Sequence, residues 1–159
     1  MTDATKRILQ SSLGTELSQE EAGTLSDLMK IRELVDGEYL IEEGKADDSL
    51  HVLLEGKLEV VKHTGAGEIA SLAIRRDGSL VGELSFIDGE IHTVGLRALC
   101  RSQVLSLARK DFEGVVDKNS QLVYKVMRAV ARSAHENIHR MNSEFIELQN
   151  YIFKQHGRY

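Results

Sequence analysis

The stretch Gly78-Ser79-Leu80-Val81-Gly82-Glu83-Leu84-Ser85-Phe86-Ile87-Asp88-Gly89-Glu90-Ile91-His92-Thr93-Val94 decides how this chain is read. A strand ends at Gly82, and a short helical turn from Leu84 to Ile87 begins at once. The start of a helix offers backbone N–H groups without intrahelical partners and the positive end of the helix dipole. Gly82, with no side chain, lets a ligand or another backbone come close. Leu84 and Ser85 at the helix start therefore outline an anion pocket. Glu83 beside it cannot serve an anion and is suited to accept hydrogen bonds from sugar hydroxyls. Taken alone, the same residues also read as a simple turn.

Upstream and downstream, the apolar runs are short. They are Tyr39-Leu40-Ile41, Leu50-His51-Val52-Leu53-Leu54, Lys57-Leu58-Glu59-Val60-Val61, Ile69-Ala70-Ser71-Leu72-Ala73-Ile74, Val94-Gly95-Leu96-Arg97-Ala98 and Val104-Leu105-Ser106-Leu107. Several alternate with a period of two, as half-buried strands do. Nine of the 13 glycines fall between Gly37 and Gly95, and proline is absent. Gly65-Ala66-Gly67 marks a hairpin. Strands at this spacing, with no helical patterns between them, point to a sandwich, jelly roll or barrel rather than a parallel sheet.

Both ends read as helical. Ser18 and Glu21 form a capping box ahead of Leu25, Leu28 and Met29. Ile8, Leu9 and Leu13 suggest a shorter helix ending at Gly14. Asp111 can cap a short helix carrying Phe112, Val115 and Val116. From about Gln121 to Phe153, Val123, Met127, Val130, Ala134, Ile138, Met141, Phe145, Leu148 and Ile152 form a heptad seam with one stutter. Such a helix is about 50 Å long. That exceeds what a small β domain covers, so its far half calls for the same helix of a second chain. The alternative is a helix folded back on its own domain. The organisation expected is 1–30 N-terminal helices, 31–108 β-roll, and 109–155 short helix plus long C-terminal dimerisation helix.

Bulk properties narrow the function. The chain has 159 residues, 42% hydrophobic and 28% charged, as one soluble domain would. Its net charge of −5 gives no electrostatic footprint for nucleic acid. No apolar run approaches the roughly 20 residues that cross a bilayer, and no signal peptide is seen. Cys100 is the single cysteine, which fits a reduced, cytoplasmic setting.

As a set, these segments resemble the cyclic-nucleotide-binding domain family, found in catabolite activator proteins and kinase A regulatory subunits. Val81-Gly82-Glu83-Leu84-Ser85 is similar to the first half of that family's phosphate-binding cassette. Gly37-Glu38-Tyr39-Leu40-Ile41 with Glu43-Gly44 resembles its entry strand. Asp47 to Val60 resembles the next hairpin, with His51 where an aromatic is usual. Asp77-Gly78-Ser79-Leu80 resembles the approach to the cassette, and Arg109-Lys110-Asp111-Phe112 the helix after the barrel. The resemblance covers about residues 25–145. It implies an α+β, mainly β fold: an eight-stranded double-stranded β-helix, a jelly-roll-like β-roll, with N-terminal helices and a long C-terminal helix.

The resemblance also implies a regulatory sensor, not an enzyme, that binds cyclic AMP or cyclic GMP and signals through the C-terminal helix to an unidentified protein partner. No metal, other cofactor, nucleic acid or membrane is expected. The alternative is a scaffold module that kept the fold and lost the ligand. The implied ligand residues are Gly82, Glu83, Leu84, Ser85, His92, Thr93 and Asn137, the last touching the base from the long helix. His92 stands where the family has an arginine. Arginine is always charged and grips phosphate with two parallel bonds, whereas histidine is mostly neutral at pH 7. Arg97, in phase with Thr93, is a possible substitute, as are Arg75 and Arg76. The transcription-factor branch of the family adds a helix-turn-helix, for which this chain leaves no room.

Other chemistries fit less well. His135-Glu136-Asn137-Ile138-His139 has the H-E-x-x-H spacing of zinc proteases, but Asn142 and Phe145 occupy the places where the longer metzincin motif has Gly and His. The alternative is a polar face of a dimer helix. His51, His63 and His92 lack the close spacing of a cupin metal site. No nucleophile elbow, P-loop or dinucleotide fingerprint occurs.

Overall fold

A computed structural model describes residues 1–156. Two short helices lead into eight strands, and two helices follow them. A further short helix interrupts the strands. Helix α1 spans Asp3–Leu9, with the Thr2 hydroxyl accepting from Thr5 N–H. It ends earlier than Gly14. The chain folds back there so tightly that a Cβ on Gly14 would lie 2.1 Å from the Ile8 carbonyl oxygen. Gly14 thus serves a close approach rather than a helix terminus. Helix α2, Gln19–Leu28, opens with the capping box expected from Ser18 and Glu21. Glu21 N–H donates to Ser18 Oγ at 3.2 Å, and Ser18 N–H donates to Glu21 Oε2 at 2.7 Å.

The strands are β1 Lys30–Leu34, β2 Tyr39–Ile41, β3 Ser49–Glu55, β4 Leu58–His63, β5 Ile69–Arg75, β6 Leu80–Val81, β7 Gly95–Ala98 and β8 Ser102–Ala108. They form two four-stranded antiparallel sheets, ordered β1-β8-β3-β6 and β2-β7-β4-β5. Strands adjacent in sequence often lie in different sheets, as the two-sheet β-roll requires. The hairpin at Gly65-Ala66-Gly67 joins β4 to β5, with Gly67 at a φ of 81°. Strand β1 is the element that apolar periodicity misses, because only Leu34 of its five residues is buried.

Two cores follow from the alternation of side chains across each strand. Leu50, Val52, Leu105 and Leu107 point outward from the first sheet and pack under Ile8, Leu25, Phe112 and Val126 of the helices. Leu34, Leu53, Val81 and Val104 point inward and meet Leu40, Leu58, Val60 and Leu96 of the second sheet. Helix α3, Glu83–Asp88, lies between β6 and β7. Helix α4, Arg109–Glu113, is preceded by Ala108 at its N-cap, without a side-chain cap. Asp111, expected as the cap, lies inside the first turn, where its charge faces the positive end of the helix.

Helix α5 runs from Ser120 to His156. Its first part is folded onto the domain through Leu122, Val126, Ala129 and Val130, with Val123 and Met127 partly buried. The early part of the heptad seam is therefore engaged within the chain. The later seam residues Ile138, Met141, Phe145, Leu148 and Ile152 are exposed. No helix of the described residues is long and apolar enough to cross a membrane.

Candidate functional site

Gly82 ends β6 and caps α3 with a φ of 75°. A Cβ there would sit 3.0 Å from the Ser49 carbonyl oxygen and 3.3 Å from His51 Cδ2. The close approach expected at Gly82 is thus made by the protein's own β3. The left-handed turn it permits starts α3 directly after the strand, which puts Glu83 and Ser85 on the inner side.

Glu83 is buried, at 7% exposure. Its Oε1 accepts from Asn137 Nδ2 at 2.9 Å and from Ser133 Oγ at 3.3 Å. Both donors come from α5, one turn apart, so the long helix lies across the cassette. Asn137, expected at a base, donates to this carboxylate.

Ser85 and His92 are buried together, with Ser85 Oγ 3.2 Å from His92 Nδ1. The other ring nitrogen, Nε2, lies 3.3 Å from the Asp47 carbonyl oxygen. A carbonyl only accepts, so Nε2 donates to it, and both ring nitrogens are engaged within the chain. Leu84 is 59% exposed. Thr93 is also exposed, and its carbonyl accepts from Lys62 Nζ at 2.6 Å. The cassette helix thus brings Glu83, Ser85 and His92 inside and leaves Leu84 and Thr93 on the surface.

Arg97 does not substitute for the missing arginine. Its neighbours Leu96 and Ala98 point into the roll, so Arg97 points out, where Nη2 pairs with Glu59 Oε2 at 2.7 Å. Arg75 is placed differently. It pairs in register with Leu58, on the inward face of β4 and β5. Burial, and then the Arg140 guanidinium, pull its pKa below the ordinary arginine value, while Glu83 and Glu144 act in the opposite direction. Arg75 therefore lies on the inward face, within electrostatic reach of Glu83.

Two further groups brace the cassette. Arg109 Nη2 donates to the Ser85 carbonyl at 3.2 Å and pairs with the Asp48 carboxylate. Phe86 of α3 packs on Phe112 of α4, ring centroids 5.5 Å apart. Behind His92, Asp47 Oδ2 lies 2.8 Å from His51 Nε2, and His51 Nδ1 lies 2.7 Å from Ser106 Oγ. Burial opposes ionisation of Asp47, but the hydrogen bond and charge of His51, the Ser49 N–H and His92 outweigh it and hold the pKa below the usual aspartate value. Sequence reading missed Ser133, Asp47 and the bracing role of Arg109. Ser133 lies one turn before Asn137, a spacing that becomes informative once that face of α5 is known to meet Glu83. His135 and His139 are both exposed on α5, away from the cassette contacts.

Comparison with known proteins agrees with this architecture. The profile of the Cyclic nucleotide-binding domain matches residues 31–119. Among solved structures, a cyclic nucleotide-binding domain from Methylobacillus flagellatus superposes with a TM-score of 0.83 at 22% identity, over 90% of this chain and 83% of that one. The N-terminal domain of a transcriptional regulator from Streptomyces coelicolor gives 0.73 at 27% identity, over 82% and 94% of the two chains. A mutant regulatory subunit of a cAMP-independent protein kinase A from Trypanosoma brucei, bound to cAMP in its A site, gives 0.73 at 22% identity, over 90% and 50%. In sequence, the neuropathy target esterase sws of Drosophila willistoni is 28% identical over 130 residues, 77% of this chain. That of Drosophila melanogaster is 26% identical over 137 residues, 82% of this chain. The chain spans 8% and 10% of the length of those two relatives. The profile match covers more than half of the chain, on the strands and cassette described above: the chain belongs to the cyclic nucleotide-binding domain family.

Proposed function

We propose that this chain is a regulatory module that binds a cyclic nucleotide, cyclic AMP or cyclic GMP, at the Gly82–Ser85 cassette and signals through α5. One observation carries the reading: Glu83, the residue suited to ribose hydroxyls, is held by Asn137 and Ser133 of that helix. A sugar hydroxyl arriving at Glu83 competes with those two donors, so occupancy of the cassette is linked to the position of α5. Thr93, exposed next to His92, offers its hydroxyl to the phosphate in this reading. Arg75 supplies the positive charge for the phosphate, because both nitrogens of His92 are engaged with Ser85 and Asp47.

Signalling is to a partner protein, with two copies joined along Ile138, Met141, Phe145, Leu148 and Ile152, in a reducing, cytoplasmic setting consistent with the unpaired Cys100. The module itself performs no catalysis in this reading.

Isothermal calorimetry with cyclic AMP and cyclic GMP tests the assignment. Binding is expected, weakened about tenfold or more in Glu83→Ala and Arg75→Ala, since each loses a hydrogen bond to a charged group. His92→Arg restores the family's anchor and is expected to tighten binding about ten- to a hundredfold. Absence of binding by both the native chain and His92→Arg would retire the reading. It would leave the second one, a module that kept the fold and lost the ligand, which the internal satisfaction of Glu83 favours.

A further inference from the structure

On the far side of His92 from the cassette lies a cavity of about 470 Å³, within the size range of small-molecule pockets. Strand register explains why it exists. Lys30, Ser106 and His51 are direct cross-strand partners on β1, β8 and β3, and their row faces the second sheet. The neighbouring inward residues Leu34, Leu53 and Val104 fill the core with hydrocarbon. Here the inward row is polar and the space stays open.

The lining charges are unequal in how they are matched. Asp47 is engaged with His51, Glu42 with Lys45 at 2.6 Å, and Arg32 with Glu38 at 3.1 Å. The Lys30 side chain has no ion pair or hydrogen-bond partner among the described residues and is exposed beside the cavity. Tyr39, Leu40 and Ile41 give one wall an apolar surface. An unmatched cation beside an apolar wall suits a small organic monoanion.

The cavity and the cassette also share a wall. Ser49, Ile41 and His51 line the cavity and are the groups against which Gly82 is pressed. His92 lines it too, while its Nδ1 contacts Ser85 of α3. We infer that this cavity is a second ligand site, for a small carboxylate with an apolar body, whose occupant is sensed at α3 through His92 and Gly82. It is separate from the nucleotide cassette, and its test uses no nucleotide.

The full chain, labelled with ¹⁵N, is titrated with sodium benzoate at matched ionic strength. The rings of His51 and His92 and the Ser85 amide are followed by NMR. Benzamide, the uncharged isostere, and the Lys30→Glu variant serve as controls. Lys30 is exposed, so this variant keeps the fold. Saturable shifts of both rings and of Ser85 are expected with benzoate, and about tenfold weaker binding in each control. Rings that do not move, or that respond equally to benzamide or in Lys30→Glu, overturn the site. Movement of His51 without Ser85 overturns the coupling. Glu83→Ala is expected to keep the benzoate response, so loss of nucleotide binding and loss of this site are separately readable.

Discussion

Asn137 Nδ2 donates to Glu83 Oε1 at 2.9 Å, across 54 positions of sequence, and thereby ties the long helix to the cassette. Glu83 is buried, and without Asn137 its Oε1 keeps only the longer bond from Ser133 at 3.3 Å, which leaves a desolvated carboxylate underbonded. Asn137→Leu is expected to lower stability by about 1–3 kcal/mol. Asn137→Asp, which sets a second carboxylate against Glu83, is expected to cost more. Urea unfolding of the two variants gives the comparison, and equal midpoints with the native chain would refute it.

Gly82 has a φ of 75°, and a Cβ there would be crowded against Ser49 and His51. The left-handed conformation alone costs an alanine about 1–2 kcal/mol, to which the contact adds. Gly82→Ala is therefore expected to lower the melting temperature by about 2–8 °C. Gly65→Ala, at a hairpin position with open space around it, is expected to change it little.

Arg109 clamps the Ser85 carbonyl and Asp48, and its guanidinium packs against Gly89 at the end of α3. Removing it in Arg109→Ala is expected to speed hydrogen exchange in α3 about tenfold or more, from the loss of a charge-assisted bond. Amides of β3 and β8 keep their protection. Uniform acceleration throughout the chain would instead mark a global loss of stability.

Glu43 accepts from Lys62 Nζ at 2.7 Å, from His63 N–H at 2.9 Å and from His63 Nδ1 at 2.8 Å. With Lys62 the largest influence, these bonds lower its pKa from 4.5 to about 2. A carboxylate with a depressed folded pKa favours folding above its unfolded value, and the benefit is lost as it is protonated. That contribution is expected to be complete above about pH 5 and to fade towards pH 2. Glu43→Gln removes it, so native and variant stabilities converge in acid. Parallel stability curves between pH 6 and pH 2 would contradict this.

Met141 and Phe145 are each 59% exposed on the far half of α5. Their paired replacement by Glu is expected to shift sedimentation from dimer to monomer while circular dichroism of the β-roll is retained. A native chain that sediments as a monomer at all concentrations would end the dimer proposal.

Local chemistry made some of the fold readable in advance. Ser18 and Glu21 are three residues apart, so their capping box forms whatever the rest of the chain does. Strands β3 and β8 are marked by dense apolar residues, and the β4–β5 hairpin by its glycines. Strand β1 escaped because its inward positions Lys30 and Arg32 line a polar cavity, and only Leu34 enters the core. The heptad seam was visible, but Leu122, Val126 and Ala129 packing on the domain was not, since that face is defined by what it meets.

Within the cassette, the order Gly-Glu-Leu was legible in the sequence, and the histidine in place of arginine through the resemblance to the cyclic-nucleotide-binding domain family. Which side chains turn inward was not. Glu83 finding Asn137, Gly82 pressing on Ser49, and Arg75 turning inward while Arg97 pairs with Glu59 depend on contacts between segments distant in sequence. Periodicity and turn chemistry act over a few residues, so a linear chain carries them on its face. Charge pairing across the roll exists once sheet register and helix placement have brought the partners together.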